Sequence, residues 1–423
     1  MTYTLGAPMR TIAPLLLLAA CSGKVIEPET PATPSDPELP IATPPPADTP
    51  TESINATGLA LQQQLFTNPE KNEVFSPASI SVAFAMLAAG ANGQTADQLY
   101  AFLNQNPDTA HATLGGMVKT WNDQGNDAPL TLAVANRVWV DSGLSVLDSY
   151  LAMTRDQYGA QATMLNFAGD AETSRETINT WVEDNTNDRI VDLLPQGSVT
   201  SETRMVLTNA VYFKADWAVA FDAEKTEDKT FTTGAGATVN VPTMHTERSM
   251  AYAESDVARM VMLPYKGGTA DFLVVLPKGQ TLPELEASMT PQSIDAWVGA
   301  ARQGMVDLAL PKFELNATYD SLVTPLGALG VTDAFSRRAD FSGISASEGL
   351  QVSDAIHKAF ILVDETGTEA AAATGIVMRA TSAMEPPPVV VFHADEPFWF
   401  AVRDRATGTL LFTGHVADPS VER

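Results

Sequence analysis

Glu365-Thr-Gly-Thr-Glu-Ala-Ala-Ala-Ala-Thr-Gly-Ile-Val-Met-Arg-Ala-Thr-Ser-Ala-Met384 lies between two runs that read as strands, His357-Lys-Ala-Phe-Ile-Leu-Val-Asp364 and Pro388-Val-Val-Val-Phe-His393. A connection of about twenty residues between buried strands is far longer than a compact domain ordinarily uses, and such segments are functional or irregular. From Thr368 to Thr374 every side chain is small except Glu369, and proline is absent. Two readings fit. With Thr368 as N-cap, Glu369 and the four alanines would make a short helix. As an added strand, the same residues would turn the uncharged set Thr368, Ala370, Ala372 and Thr374 to a core and Glu369 to water.

The chain has 423 residues, enough for one large domain or a few ordinary ones, and 45% of them are hydrophobic, enough for a sizeable core. Acidic residues outnumber basic ones 51 to 25, a formal net charge of −26. Such a globule is repelled by nucleic acid and by anionic membrane surfaces. The single cysteine, Cys21, excludes an intramolecular disulfide and a cysteine metal cage. It follows Arg10 and the apolar run Ile12-Ala-Pro-Leu-Leu-Leu-Leu-Ala-Ala20, too short to span a bilayer and shaped like a signal peptide. The ending Leu18-Ala-Ala-Cys21 resembles the bacterial lipobox. That resemblance implies cleavage after residue 20, lipid on Cys21, and export to the outer membrane or cell surface. The alternative is an ordinary secretory signal with a stray cysteine.

From 21 to 52 the chain is rich in proline, threonine and acids, so it is expected to be an extended tether. Beyond it, apolar periodicity predicts helices over Ala56–Phe66, from Pro77 to Gly90, and over Gly143–Tyr158, Ala171–Leu194, Leu282–Ala301 and Tyr319–Leu329. Strands are predicted over Leu130–Val140, Met205–Phe213, Met260–Tyr265, Asp271–Leu276, Val306–Phe313, His357–Asp364, Val389–Phe392, Phe398–Asp404 and Thr409–Val416. With no fixed-period repeat and no second proline-rich linker, residues 53–421 read as one α+β domain.

Catalytic constellations are missing from the sequence. There is no Gly-x-Ser-x-Gly, no His-Glu-x-x-His, no phosphate-binding Gly-x-x-x-x-Gly-Lys and no dinucleotide fingerprint after a strand. Histidines 111, 245, 357, 393 and 415 lack paired ligand spacing. The expectation is of a non-enzyme without cofactor or metal; the alternative, a tethered surface enzyme, would need an active site that these motifs do not display.

Five ordered segments resemble the serpin family. They are Val74-Phe-Ser-Pro-Ala-Ser-Ile-Ser81; Asn209-Ala-Val-Tyr-Phe-Lys-Ala-Asp-Trp217; His357-Lys-Ala with Glu365-x-Gly-Thr-Glu-Ala-Ala-Ala-Ala-Thr374; Phe392-His-Ala-Asp-Glu-Pro-Phe398; and Leu410-Leu-Phe-Thr-Gly-His-Val-Ala-Asp-Pro419. The resemblance implies an α+β fold with three β-sheets, about nine helices and an exposed reactive-centre loop. It further implies a suicide inhibitor of serine proteases, with cysteine proteases as a further target class, whose cut loop enters the central sheet. The other option within the family is a non-inhibitory carrier or chaperone.

By position, the hinge would be Glu365, Gly367, Thr368, Glu369, Ala370, Ala371, Ala372, Ala373 and Thr374. Ser76, Ser79, Asn209 and His357 would form the shutter beneath the sheet. Trp217 and Lys312 would flank the loop's point of insertion, with Lys312 pairing with Glu365. The family's loop length makes Thr381 and Ser382 the reactive centre, with Ala383, Met384 and Arg379 as alternatives. Small residues there suit elastase-like or subtilisin-like targets. The region matching the glycosaminoglycan-binding helix, His111 to Pro129, has only Lys119 as a basic residue, so no heparin activation is expected, and the protein is expected to be monomeric. Ala215 and Glu396 depart from the family pattern, and both are expected to lie clear of the hinge.

Overall fold

A computed structural model describes residues 49–122, 130–346, 350–353, 355–368 and 388–421; of the strand side chains, those of 130–136, 161, 209, 210 and 212 fall outside the description. Nine α-helices occur among these residues: α1 (Pro50–Leu65), α2 (Pro77–Ala88), α3 (Gly93–Leu103), α4 (Pro107–Asn122), α5 (Asp148–Tyr158), α6 (Ala171–Asn185), α7 (Leu282–Ser288), α8 (Pro291–Ala300) and α9 (Val323–Ala328).

Strands, numbered along the chain, form three sheets. The first has the spatial order β10 (Phe313–Tyr319), β11 (His357–Val363), β12 (Gly367–Thr368), β4 (Met205–Asp216), β2 (Leu130–Asp141) and β3 (Gln161–Leu165). The second runs β1 (Glu73–Phe75), β15 (Leu410–Val416), β14 (Phe398–Asp404), β8 (Ala270–Pro277), β7 (Ala258–Pro264) and the C-terminal end of β6 (Thr238–Glu254). The third joins β5 (Glu227–Thr232), β6, β9 (Arg302–Pro311) and β13 (Val389–His393). Strand β6 belongs to both the second and third sheets.

The main core lies between the first and second sheets. Phe213 of β4 meets Phe412 of β15, and Phe313 of β10 meets Phe400 of β14, with ring centroids 6.1 and 5.4 Å apart. Helix α2 is buried over nearly its whole length, which explains why its sequence is apolar on every side. Its start is set locally: Ser76 accepts a hydrogen bond from the Ser79 N–H and Pro77 occupies the first helical position. Strand β8 is covered on both faces, so Ala270-Asp-Phe-Leu-Val-Val-Leu-Pro277 reads as one apolar run rather than an alternation.

Several boundaries differ from expectation, each for a local reason. Helix α1 begins at Pro50, inside the stretch expected to be tether, because Thr49 and Glu52 form a capping box around it. The helix expected over Leu282–Ala301 breaks at Thr290, which caps a second helix starting with Pro291. Helix α6 stops at Asn185, and Asn187, Asp188 and Asp192 beyond it adopt left-handed conformations. The strand expected over Val306–Phe313 is two strands in different sheets, divided at Lys312, whose N–H donates to Pro242 O at 2.9 Å.

Candidate functional site: a cleft in the first sheet

Strands β11 and β4 are parallel neighbours at only two positions, Lys358 opposite Ala210 and Ala359 opposite Val211. Toward the other end they part, and β12 lies between them. Gly367 and Thr368 pair antiparallel with Asp216 and Ala215 of β4, and Thr368 also pairs with Val363 of β11. The first residue of the small-residue segment, Thr368, is therefore already in a strand together with Gly367. Thr368 is fully buried, and its hydroxyl lies 2.6 Å from the Tyr265 hydroxyl. The side-chain parity is the one expected for an added strand, with Thr368 turned to the core.

The turn into β12 is held on all sides. Asp364 Oδ1 accepts hydrogen bonds from the Thr366 N–H at 2.8 Å and the Thr366 hydroxyl at 2.6 Å. The Trp217 indole N–H donates to Asp364 O at 2.9 Å, and its backbone N–H donates to Thr366 O, also at 2.9 Å. Trp217 stacks on Tyr265 with centroids 4.7 Å apart, so one aromatic pair supports both the turn and Thr368. Lys312, at the crossover between two sheets, places Nζ 2.8 Å from Glu365 Oε2, while the Thr226 hydroxyl donates to Glu365 Oε1 at 2.8 Å.

Burial pushes the Glu365 carboxyl up, but hydrogen bonds from Lys312 and Thr226 outweigh it and hold the group below its ordinary range. A carboxylate depressed in the fold contributes stability above its unfolded value and loses it as pH falls through the folded one. Glu365→Gln is therefore expected to lower the melting temperature at neutral pH by about 2 °C, equivalent to ~1 kcal/mol. The difference should vanish below the carboxylate range. A melting scan of both proteins across acid pH checks this.

Glycine is required at 367. A Cβ there would lie 2.7 Å from Asp216 Cα and closer still to Ala215 O, so backbone would have to yield. This corrects the expectation that Ala215 lies clear of the hinge: it is the cross-strand partner of Thr368. Gly367→Val is expected to expel β12, read as a change in Trp217 fluorescence and as faster exchange of the Thr368 amide.

Below the cleft, Ser76, Ser79 and His357 are buried, and His357 Nε2 accepts the Ser76 N–H at 3.2 Å. Burial pushes the His357 pKa down to about 3, so the ring is neutral at ordinary pH and, accepting at Nε2, carries its proton on Nδ1. Asn209 lies in β4 opposite Asn136 of β2. Residues Glu369 to Thr374, the candidate reactive-centre residues Arg379, Thr381, Ser382, Ala383 and Met384, and Cys21 fall outside the described residues. Helix α4 carries His111, which is wedged between the Tyr100 and Tyr158 hydroxyls at 2.8 and 2.7 Å. Burial lowers its pKa, so it adds little positive charge there.

Sequence reading named neither Tyr265 nor Thr226 as a partner of this site. Both meet the turn from more than a hundred positions away along the chain. Their only local signal is proximity to motif residues: Tyr265 closes the run Met260–Tyr265, and Thr226 follows Trp217 at short range.

The family model described as Serpin (serine protease inhibitor) matches residues 52–419. An uncharacterized serpin-like protein of Thermococcus kodakarensis is 38% identical over 87% of this chain and 85% of its own length. The leukocyte elastase inhibitor of Bos taurus is 35% identical over 87% of this chain and all of its own length. Among solved structures, tengpin, a thermophilic serpin in its native state, aligns with a TM-score of 0.78 at 28% identity, covering 87% of this chain and 94% of tengpin. Thyroxine-binding globulin in complex with thyroxine gives 0.78 at 29%, covering 87% and 99%.

Proposed function

Because this chain belongs to the serpin family, we propose that it inhibits serine proteases by a suicide reaction in which the cut loop completes β12 as a full strand. The observation that carries this is the placement of Gly367 and Thr368 between β4 and β11. Extended in the same antiparallel register, Ala372 would come between Ala359 and Val211, and Ala373 between Lys358 and Ala210. Those are the two pairs that β11 and β4 now make directly. Thr374 would then separate His357 from Asn209, which gives the shutter residues their part in the reaction.

The inward set Thr368, Ala370, Ala372 and Thr374 is small and uncharged, so each step closes over without burying a charge. Ile376 and Met378, the next inward positions, would come opposite Leu207 and Met205, which line an apolar cavity of about 140 Å³.

In the chemical step the protease serine Oγ attacks the Thr381 carbonyl. The bond to Ser382 breaks, the Ser382 amine leaves with a proton, and Thr381 remains on the protease as an ester. Thr381 and its neighbours suit small primary pockets, and the likeness to an elastase inhibitor supports the same target class. Arg379 would suit a trypsin-like enzyme. A non-inhibitory carrier is the second reading, favoured by the likeness to thyroxine-binding globulin with thyroxine. Mixing the purified protein with pancreatic elastase or subtilisin is expected to give a covalent complex that survives denaturation, with the new terminus at Ser382. Cleavage without any complex, across such proteases, contradicts inhibition.

The Arg10–Cys21 leader adds a location: a lipid on Cys21 would hold the inhibitor at the outer membrane or cell surface, where the tether gives it reach. A mature N-terminus carrying diacylglyceryl mass on Cys21 is the expected finding. An unmodified terminus contradicts the anchor.

A further inference from the structure

We propose that His245, Asp307 and His393 form an acid-tightened latch that fastens β13, the strand immediately after the loop, to the third sheet. Among the described residues, strand β13 is held along one edge only, by parallel pairing of its five residues with β9. Two of its side chains, Val389 and Val391, are 43% and 54% exposed and give little packing. On that exposed face the register makes two rows across β6, β9 and β13: His245, Ala309 and His393 in one, Glu247, Asp307 and Val391 in the other.

The small Ala309 leaves both imidazoles room to lean toward Asp307. His245 Nε2 lies 2.6 Å from Asp307 Oδ1, and His393 Nε2 lies 3.3 Å from Asp307 Oδ2. One carboxylate thus ties strands on both sides of it, and His393 is the tie on β13.

With neutral rings these are ordinary hydrogen bonds, made beside a like charge, since Glu247 pairs with Asp307 across the strands. Protonating either ring makes its bond charge-assisted and offsets the two carboxylates. Other charged groups line the hollow beside His393: Lys229 of β5 and Asp395. Burial pushes the Asp307 carboxyl up, yet the two histidines more than reverse this and keep it below its ordinary range. It therefore stays ionised in mild acid. The latch tightens when either ring gains a proton and fails only when Asp307 itself is protonated.

The latch does not depend on what the loop does; treating β13 as the loop's distal anchor rests on the proposed function. On that reading, an uncut loop can reach the bottom of the cleft only if β13 lets go, so mild acid preserves the uncut state.

Hydrogen exchange of the Val389–His393 amides tests the latch without using inhibition. After correction for intrinsic exchange, protection in the wild type is expected to rise about fivefold from about pH 8 to about pH 5.5. Asp307→Asn and His393→Gln should each abolish the rise. No rise in the wild type, or an equal rise in both folded variants, overturns the proposal. Since neither outcome involves a protease, failure here leaves the inhibitory reading standing or falling on its own test.

Discussion

Thr368→Arg is expected to yield a protein that target proteases cut and release without forming a covalent complex. Position 368 is fully buried, against Tyr265 and between two strands. A guanidinium there would be buried in a site that holds a hydroxyl, and burying a charge that is left unpaired costs about 3–5 kcal/mol. Slowing insertion by that amount is a factor of about 150 to about 5,000. Hydrolysis of the protease ester then wins the race with insertion. Thr368→Val keeps the size, loses one hydrogen bond worth ~1 kcal/mol and should still inhibit. Gel electrophoresis under denaturing conditions separates the outcomes, and retained complex with Thr368→Arg contradicts insertion at this position.

The parity at Thr368 was legible in the sequence because the composition that follows it is unusual at every second residue. Small uncharged residues at 368, 370, 372 and 374 admit an added strand as well as a short helix, and the structure places Thr368 where the strand parity requires. Strands with strong alternation or unbroken apolar runs, such as Phe398–Asp404, were legible for the same reason. Strand β6 was not, because its seventeen residues change partners from β5 to β9 to β7 and their burial follows no single period. A strand shared by two sheets has no fixed inner face for the sequence to encode.

Lys312 illustrates a different limit. Its pairing with Glu365 was anticipated from family position, but the reason it reaches was not. The apolar run Val306–Phe313 conceals a change of sheet at Lys312, and the change is set by tertiary packing rather than by pattern. Ala215 was misread because its methyl carries no chemistry. Its part in the site is made by backbone, through pairing with Thr368 and through the carbonyl that excludes a side chain at 367.

On the proposed reading, completing β12 would supply backbone partners on both sides for about a dozen residues, and at ~1 kcal/mol net per hydrogen bond the inserted state would lie on the order of 10 kcal/mol lower. That rivals the stability of an entire domain, so the uncut protein would persist through a kinetic barrier. The barrier includes parting the Lys358–Ala210 and Ala359–Val211 pairs. Thermal unfolding, measured before and after a non-target protease nicks the loop between Arg379 and Met384, reads this difference. Insertion predicts a rise in melting temperature of more than about 10 °C on nicking. An unchanged melting temperature, with the loop demonstrably cut, would contradict the claim that this cleft exists to receive it.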